Sequence, residues 1–448
     1  MYTTMVFSSE LENRFDVKYY DPKALEVLRR IKKKVASDST YESHEFGEYG
    51  KMKKGIFSIP ASEYKDIGIP FIRVSCIKSL TVDRNDLTYI SDAWHKKESK
   101  TAVKHGDIAI SKSGTIGCVA LVPDWIEAAN ISQDIIGVYP YHKELSGFLA
   151  AYLSSKIGQI QMHRVETKQT HAHLTLIPLK KLRILYNKEI AEKISKLMED
   201  GLKYEKEFMD GIDIAIKLLK SHIKIEVENK KYRTFLIANK DIESRFTPIF
   251  YYPPYLESNK RLNAAFQTIK LGNISKIING KEVGSVNYKD DGVCFVRTSD
   301  LVNYGIDQNS YHKVSEEIYN KFKQDLQPED ILFTNDGKIG LSAMLIDGDV
   351  CVIQSHVKRV RIVDKKFTPE YIFIFLNTDF GLFQIYRRIF VQSTIPTIED
   401  GLQDVDIPII DEKIMEQITL TCKKAFRAKA LRNTCVKESI ALIESMFA

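Results

Sequence analysis

The chain has no Walker-type phosphate loop, no Cys-x-x-Cys pair, no apolar run long enough to span a bilayer and no strong charge of either sign. Each absence removes a class of function. Without G-x-x-x-x-G-K-[ST], ATP-driven translocation is not encoded here. The six cysteines (Cys76, Cys118, Cys294, Cys351, Cys422 and Cys435) are scattered. They read as free thiols in a reducing cytoplasm, not as a disulfide framework or a zinc site. Glu10, Glu12 and Asp16 near the start do not suit a signal peptide. The longest apolar stretches, such as 108–110, are short, so the chain reads as soluble and cytoplasmic with no membrane partner. With 65 Lys+Arg against 59 Asp+Glu, the net charge of +6 permits nucleic-acid binding without demanding it.

Catalytic motifs are weak as well. The string YYPPY at 251–255 resembles the D/N-P-P-Y motif of amino-methylating enzymes, but that chemistry needs an Asp or Asn where Tyr252 stands. No Gly-rich strand-to-helix loop for S-adenosylmethionine sits nearby. Asp336 with Lys338, or Asp411 and Glu412 with Lys413, suggest a nuclease set only in isolation, because the other half of the chain has no counterpart. His171 and His173 have the alternate spacing of strand metal ligands, yet no third ligand accompanies them; a polar loop is the better reading. The stretch SKSGTIG at 111–117 is not followed by the long helix a phosphate loop needs. It reads as a tight hairpin whose glycines take positive φ.

What the chain does have is a duplication. GDIAISKSGTIG from Gly106 is answered by EDILFTNDGKIG from Glu329, and PFIRVS from Pro70 by CFVRTS from Cys294. Gln169-Thr170 is answered by Gln392-Ser393, with the register holding at 223 to 224 positions. RFDVKYYDP from Arg14 and RFTPIFYYP from Arg245 head the two copies at a separation of 231. Short β-rich runs at 70–74, 107–111, 118–122 and 134–139 are repeated at 293–297, 330–334, 341–346 and 356–363, with turn residues between them. Helical patterns at 145–162 and 369–387 follow.

Each copy then runs into a long amphipathic segment. Ile190, Ile194, Leu197, Gly201, Tyr204, Phe208, Ile212, Ile216, Leu219 and Ile223 recur every three or four residues, which predicts a single helix of about ten turns. The second seam, from Ile414 through Ile418, Ala425, Cys435 and Leu442 to Met446, is smaller and more polar. Neither stripe can stay exposed, so the two helices are expected to pair. The contacts of that pair are assigned to Ile194, Leu197, Tyr204, Phe208, Ile216 and Leu219 on one helix and to Ile418, Ala425, Cys435 and Leu442 on the other. The alternative is that each helix packs only on its own globular unit. The reading is an α+β chain: two similar mixed α/β domains, separated by two long antiparallel helices that form a coiled-coil spacer, in a pseudo-two-fold internal repeat. Its boundaries are 1–186, 187–228, 229–409 and 410–448.

A protein that presents one kind of surface twice can grip two half-sites on duplex DNA, which has local two-fold symmetry of its own. The groups available for this at matching positions are Arg73, Ser75, Lys112, Ser113, Thr115, Arg164, Lys168, Gln169, Thr170 and His171 in the first copy. The second copy offers Arg297, Thr298, Asn335, Lys338, His356, Arg387, Arg388, Gln392, Ser393 and Thr394. Arg, Lys, Gln and Asn read base edges, and Ser, Thr and Lys hold phosphates. Arg73 and Arg297 lie within apolar strand patterns and are open to a second reading as buried structural partners.

These features, with the G-D-I-x-x-S-x-x-G-T-I-G stretch at 106–117, its weaker copy at 329–340 and the NISQ segment at 130–133, resemble the specificity subunits of Type I restriction–modification systems. The resemblance implies a non-catalytic chain whose two target-recognition domains each read half of a bipartite double-stranded DNA sequence. It further implies that the helical pair sets the gap between the halves and docks methyltransferase subunits, two of them, with restriction subunits joining in some assemblies. No cofactor is implied in this chain; S-adenosylmethionine, ATP and Mg²⁺ belong to the partner subunits. The alternative class is a protein-interaction scaffold of a defence complex that binds no DNA. In the second copy Gly106 is replaced by Glu329, and Ser113-Gly114-Thr115 by Asp336-Gly337-Lys338. Different half-site sequences would require such divergence. If the helical pair is the ruler, inserting one or two whole helical turns after Lys203 will widen the gap in the methylated sequence and leave both halves unchanged; methylation mapping reads this directly.

Overall fold

A computed structural model describes residues 6–12, 14, 16–78, 80–168, 172–226, 231–243, 245–289, 291–307, 312–392 and 394–447. The side chains of Ser9, Lys168 and Gln392 are outside the description. The chain divides into two compact units, 1–206 with 431–448, and 207–430. Both long helices are present, Lys188–Ile223 and Glu412–Ser445, 36 and 34 residues long. The compact units cut each helix in two, so that every unit holds one mixed α/β domain and about half of each helix. The four-segment division at 186, 228 and 409 treats the helices as bodies of their own; packing assigns their halves to the domains.

The central strands show why. In the first unit an antiparallel sheet orders Val119–Leu121, Ile108–Ser111, Ile135–Pro140 and Gly50–Lys54. Every residue of Ile108–Ser111 is buried, which requires cover on both faces. Ile108, Ile110, Val119, Leu121, Ile136 and Val138 point into a core shared with Phe148, Leu149, Tyr152, Ile194, Met198 and Leu202, and with Val436, Ile443 and Met446 of the second long helix. Ala109, Ala120 and Ile135 face the opposite core, with Ile72, Ile77, Val82 and Ile131. There Ile69–Ile72 runs parallel to Ala129–Ile131 in a second, mixed sheet.

The second unit repeats this plan. Ser275–Asn279, Val357–Ile362, Ile331–Thr334 and Ser342–Met344 form its antiparallel sheet. Val293–Val296 runs parallel to Cys351–Ile353. The strand runs read from sequence are recovered to within one or two residues at each end.

The helical patterns at 145–162 and 369–387 each prove to be two helices, a correction with a local cause. Ser146–Ser154 ends where the buried Ser155 turns extended and caps Lys156–Val165 by accepting a bond from Gly158 N. Pro369–Leu376 is likewise followed by Asp379–Arg387, capped by Thr378 onto Gly381 N. In each case the glycine lets the new helix sit against the end of the old one: a methyl on Gly158 or Gly381 would lie 2.3 Å from the carbonyl oxygen of Tyr152 or Phe375. Apolar periodicity runs straight through such a break, because both helices bury the same kind of side chain.

Within each unit the halves of the long helices run antiparallel. In the first unit Gly201 lies over Cys435, and Glu205 lies 3.4 Å from Arg432. In the second, Phe208 packs on Phe426 with ring centroids 5.2 Å apart, and Gly211 lies so close to Ala425 that a methyl there would approach to 2.8 Å. Of the assigned pair contacts, Ile194, Phe208, Leu219, Ile418, Ala425 and Cys435 are buried; Leu197, Tyr204, Ile216 and Leu442 are half-buried. Ala191, Met198, Leu202, Met209 and Ala215, which lie beside the sequence seam, are buried too. A one-partner seam underestimates the apolar face, because each half-helix meets its partner on one side and its domain on the other. Gly147, on the helix that covers the sheet, sits against Met198 for this reason.

The seam read from sequence treats Ile194 and Leu197 alike, whereas burial separates them. Ile194→Ala, at a fully buried site, will cost about 2–5 kcal/mol of unfolding free energy. Leu197→Ala, half-buried, will cost less than half of that, as urea titration of the two variants will show.

Candidate nucleic-acid interface

In each unit one residue ties three chain segments together through its backbone. Lys112, just after the strand Ile108–Ser111, donates its amide to Asp134 O at 2.8 Å and accepts at its carbonyl from Leu174 N at 2.9 Å. In the second unit Asn335 donates to His356 O at 2.8 Å and accepts from Ile398 N at 3.1 Å. The three segments are a glycine turn (112–117 and 335–340), the approach to a central strand (132–134 and 354–356) and a small β-hairpin. In the first unit the hairpin pairs Thr167–Lys168 with Ala172–His173; in the second it pairs Phe390–Gln392 with Ile395–Thr397.

The turn is left-handed in the same places in both copies. Gly114 and Gly337 both have φ +71° with nothing near the position of a Cβ, and Gly117 and Gly340 have φ +81° and +96°. The sequence reading of this stretch as a tight turn with positive-φ glycines holds in both units. Just upstream, Gly106 has φ +78°, and Glu329, which replaces it, keeps φ +71° despite its side chain. Around both, the surrounding bonds are the same: Gly106 N to Val122 O at 3.1 Å, and Glu329 N to Leu345 O at 2.9 Å. The frame is therefore imposed by the fold and tolerated by Glu329, at the modest cost of a left-handed non-glycine residue.

Side chains at the junction meet in a three-membered cluster. Ser113 Oγ donates to Asp134 Oδ1 at 2.8 Å, and His173 Nδ1 lies 3.1 Å from the same Oγ. A serine hydroxyl has one proton, so His173 must donate through Nδ1. In the second unit Asp336 takes the central place, with His356 Nδ1 at 2.6 Å from Oδ2 and Asn335 Nδ2 at 3.1 Å from Oδ1. Thr397 adds a further hydrogen bond, and its backbone pairs with that of Asp336. Burial pushes the Asp336 carboxyl upward, but the bonds from Thr397, His356 and Asn335 outweigh it and hold its pKa below the usual carboxylate value.

The residues assigned to DNA contact fall into three groups. Ser113, Lys112, Asn335 and His356 are part of this junction, with Lys112 Nζ 3.8 Å from Asp134 Oδ1. Thr115 and Lys338 are exposed on the glycine turns, Thr394 is exposed at the tip of the second hairpin, and Lys168 and Gln392 lie in its strands and their counterpart. Gln169, Thr170, His171 and Ser393 lie outside the described residues. Arg73 is exposed: its strand ends at Ile72, so the alternative of a buried partner does not apply, and its guanidinium reaches only Asp86 O at 3.3 Å. Arg297 is half-buried, with its Nε 3.7 Å from Asp300.

Arg164, Arg387 and Arg388 are corrected. All three are buried and committed to the protein. Arg164 donates to Tyr19 O at 2.9 Å and to Glu12 at 3.1 Å, and its guanidinium lies 3.7 Å from the centre of the Tyr19 ring. Arg387 repeats this arrangement with Phe250 O at 2.9 Å, Glu243 at 2.9 Å and the Phe250 ring at 4.0 Å. Arg388 donates to Gln384 O and Asp404 O, and burial lowers its pKa. The Arg164 and Arg387 guanidiniums clamp the head of each copy, at separation 231, to its body, at separation 223. A planar fork that satisfies several carbonyls at once explains why Arg stands at both sites.

The cluster members Asp134, His173, Asp336 and Thr397 were missed as site residues. The signal that finds them is the repeat itself, since each pairs with its opposite number at separation 222 to 224. Among the described residues no group of three His, Cys, Asp or Glu side chains converges as metal ligands, and no helix is long and apolar enough to cross a membrane. All six cysteines are free thiols, and burial pushes the Cys76 thiol up to about 11.

Comparison with known proteins places these features in a class. Residues 39–229 match the model of the Type I restriction modification DNA specificity domain. This stretch covers most of the first unit's globular fold and the first long helix, Lys188–Ile223. More particularly, the whole chain is similar to specificity subunits. It covers 91% of itself and 96% of the S subunit from M. genitalium, at 13% identity and TM-score 0.39. The HsdS subunit from Thermoanaerobacter tengcongensis follows, with 92% and 97% coverage, 14% identity and TM-score 0.29. The type IIG restriction endonuclease BpuSI matches 40% of this chain and 28% of its own, at 10% identity and TM-score 0.30. No curated protein matches the chain.

Removing a clamp separates structure from contact. Arg164→Ala and Arg387→Ala will each cost about 1–3 kcal/mol of stability, since each leaves a buried carbonyl without its donor. The number of ions released on DNA binding, read from the slope of log affinity against log salt, will be unchanged in either variant. Lys338→Ala will show the reverse pattern, with little effect on stability and a slope lowered by about one phosphate contact.

Proposed function

We propose that this chain is the DNA sequence-specificity subunit of a Type I restriction–modification complex. In this reading it recognises a bipartite double-stranded target, one half through each unit. One observation carries it. Two frames share the bonds that tie the turn to the strand approach and to the segment at the hairpin's end, one of them within the stretch that matches a DNA specificity domain, while the side chains mounted on their turns and hairpins differ. A shared frame supports a shared way of approaching the duplex, and different side chains on it support different half-sites. The paired helices serve as the ruler between the halves and as the scaffold for methyltransferase subunits, two in number, with restriction subunits as further partners. S-adenosylmethionine, ATP and Mg²⁺ act on those partners in the cytoplasm.

The test is methylation mapping of DNA from cells that express the chain with its methyltransferase partner. A split motif with a fixed gap is the expected outcome. Exchanging residues 60–180 for the matching domain of a relative will change one half of that motif only. A motif altered in both halves, or in neither, rejects modular reading. Binding that is insensitive to salt between low and moderate concentrations favours a protein-interaction scaffold instead.

A further inference from the structure

The cluster at the junction is built twice from the same three kinds of group, but with their places rotated. In the first unit the glycine turn supplies a hydroxyl (Ser113), the strand approach a carboxylate (Asp134) and the hairpin an imidazole (His173). In the second the turn supplies a carboxylate (Asp336), the strand approach an imidazole (His356) and the hairpin a hydroxyl (Thr397). The three positions correspond at separations of 223, 222 and 224. In both units the turn residue is the middle member and bonds to each of the others.

We propose that these residues are a positioning latch: the turn residue, through its two side-chain bonds, fixes the hairpin against the glycine turn and so sets the hairpin's presentation to DNA. The inference rests on the proposed function for the word DNA, and on geometry alone for the latch. Three observations carry it. The hairpins are short, with two or three residues per strand, and a two-stranded ribbon of that size is not stable unsupported. Among the described residues the backbone ties are few: Leu174 N to Lys112 O in the first unit, and Ile398 N to Asn335 O with Gly337 N to Pro396 O in the second. Finally, the residue differs between the copies at all three latch positions, yet the set of hydroxyl, carboxylate and imidazole is the same in both. The groups can change places because a hydroxyl in the middle donates to Asp134 and accepts from His173, while a carboxylate in the middle accepts from both His356 and Thr397.

A latch of this kind permits exchange as a unit and forbids partial change. Lys112, whose Nζ lies 3.8 Å from Asp134, sits beside the first latch and remains in place in every variant below. A recognition domain can therefore vary its outward side chains while its hairpin keeps its seat. Ser113, Asp134, His173, Asp336, His356 and Thr397 are positioning residues in this account, and the reading of bases belongs to exposed groups on the turn and hairpin.

The test uses the full chain and two readouts. Amide hydrogen exchange without DNA follows Leu174 and Gly337, whose N–H groups cross the junction. Ser113→Ala is expected to speed exchange at Leu174 by about tenfold, the change for losing side-chain hydrogen bonds of ordinary strength, and to leave Ile108–Ser111 unchanged. The permuted triple S113D/D134H/H173T, which copies the second unit's arrangement, is expected to restore exchange to within about threefold of the parent. Asp336→Ala and Thr397→Val will do to Gly337 what Ser113→Ala does to Leu174. Should a triple variant fail to fold, Thr397→Val alone still decides, because it removes the hydroxyl and keeps the shape.

The second readout is selection from a random-sequence duplex pool. The parent and the permuted triple should enrich the same motif, and Ser113→Ala should lose information in one half only. The latch is overturned if Ser113→Ala and Thr397→Val exchange like the parent, or if the permuted triple melts like the parent but exchanges like Ser113→Ala. A parent that enriches no sequence, with the exchange pattern intact, overturns the DNA reading while the latch stands.

Discussion

The amide and carbonyl of one residue per unit, Lys112 in the first and Asn335 in the second, hold the site together. Each is bonded on one side to the approach of a central strand and on the other to a hairpin. Buried backbone groups must find partners, and at this point the sheet has ended, so the partners come from segments distant in sequence. Once these two bonds are made, the path of the glycine turn is fixed, which requires left-handed φ at Gly114 and Gly337. The side chains that follow the tie residue are then brought against the hairpin whatever their identity. Ser113 and Asp336 are chemically unlike, and both arrive in the middle of a three-membered cluster.

The same logic extends outward. Tying the junction is possible because the strand leading to it is buried on both faces, with Ile108 and Ile110 in one core and Ala109 in the other. That two-sided burial needs a cover layer, which the helix Ser146–Ser154 and the halves of the long helices supply together. The long helices therefore have two tasks at once: they pack on each other through close contacts such as Gly211 with Ala425, and they complete the core of each domain. Arg164 and Arg387 close the other end, fastening the head of each copy to its body through carbonyl, carboxylate and ring.

Much of this was legible in the chain. The duplicated phrases located the strands within one or two residues, because hydrophobic runs bounded by turn residues have few other solutions. The three-and-four spacing from Ile190 to Ile223 announced a long helix, and GTIG announced a positive-φ turn, since glycine alone is indifferent to that region. Other features escaped for physical reasons. The breaks at Ser155 and Thr378 are invisible to periodicity, because a capped helix following directly on another buries the same stripe. Arg164 and Arg387 looked like DNA contacts because an arginine's sequence neighbours do not show that carbonyls 145 and 137 residues away will meet it, and Arg388 because they do not show that it will be buried. Asp134 and Thr397 escaped because the local sequence of neither shows that the glycine turn will close against it.

The sequence by itself determined the repeat, the kinds of element and their order, since these follow from local patterns of apolar, turn-forming and helix-forming residues. It also determined that the two copies differ within the glycine turn, Ser113-Gly114-Thr115 against Asp336-Gly337-Lys338. Tertiary structure decided which charged groups face outward and which are spent inside, how the long helices are shared between the units, and which three side chains meet at the junction. Those outcomes depend on contacts between residues dozens to hundreds of positions apart, and burial is settled only when distant segments close over a side chain.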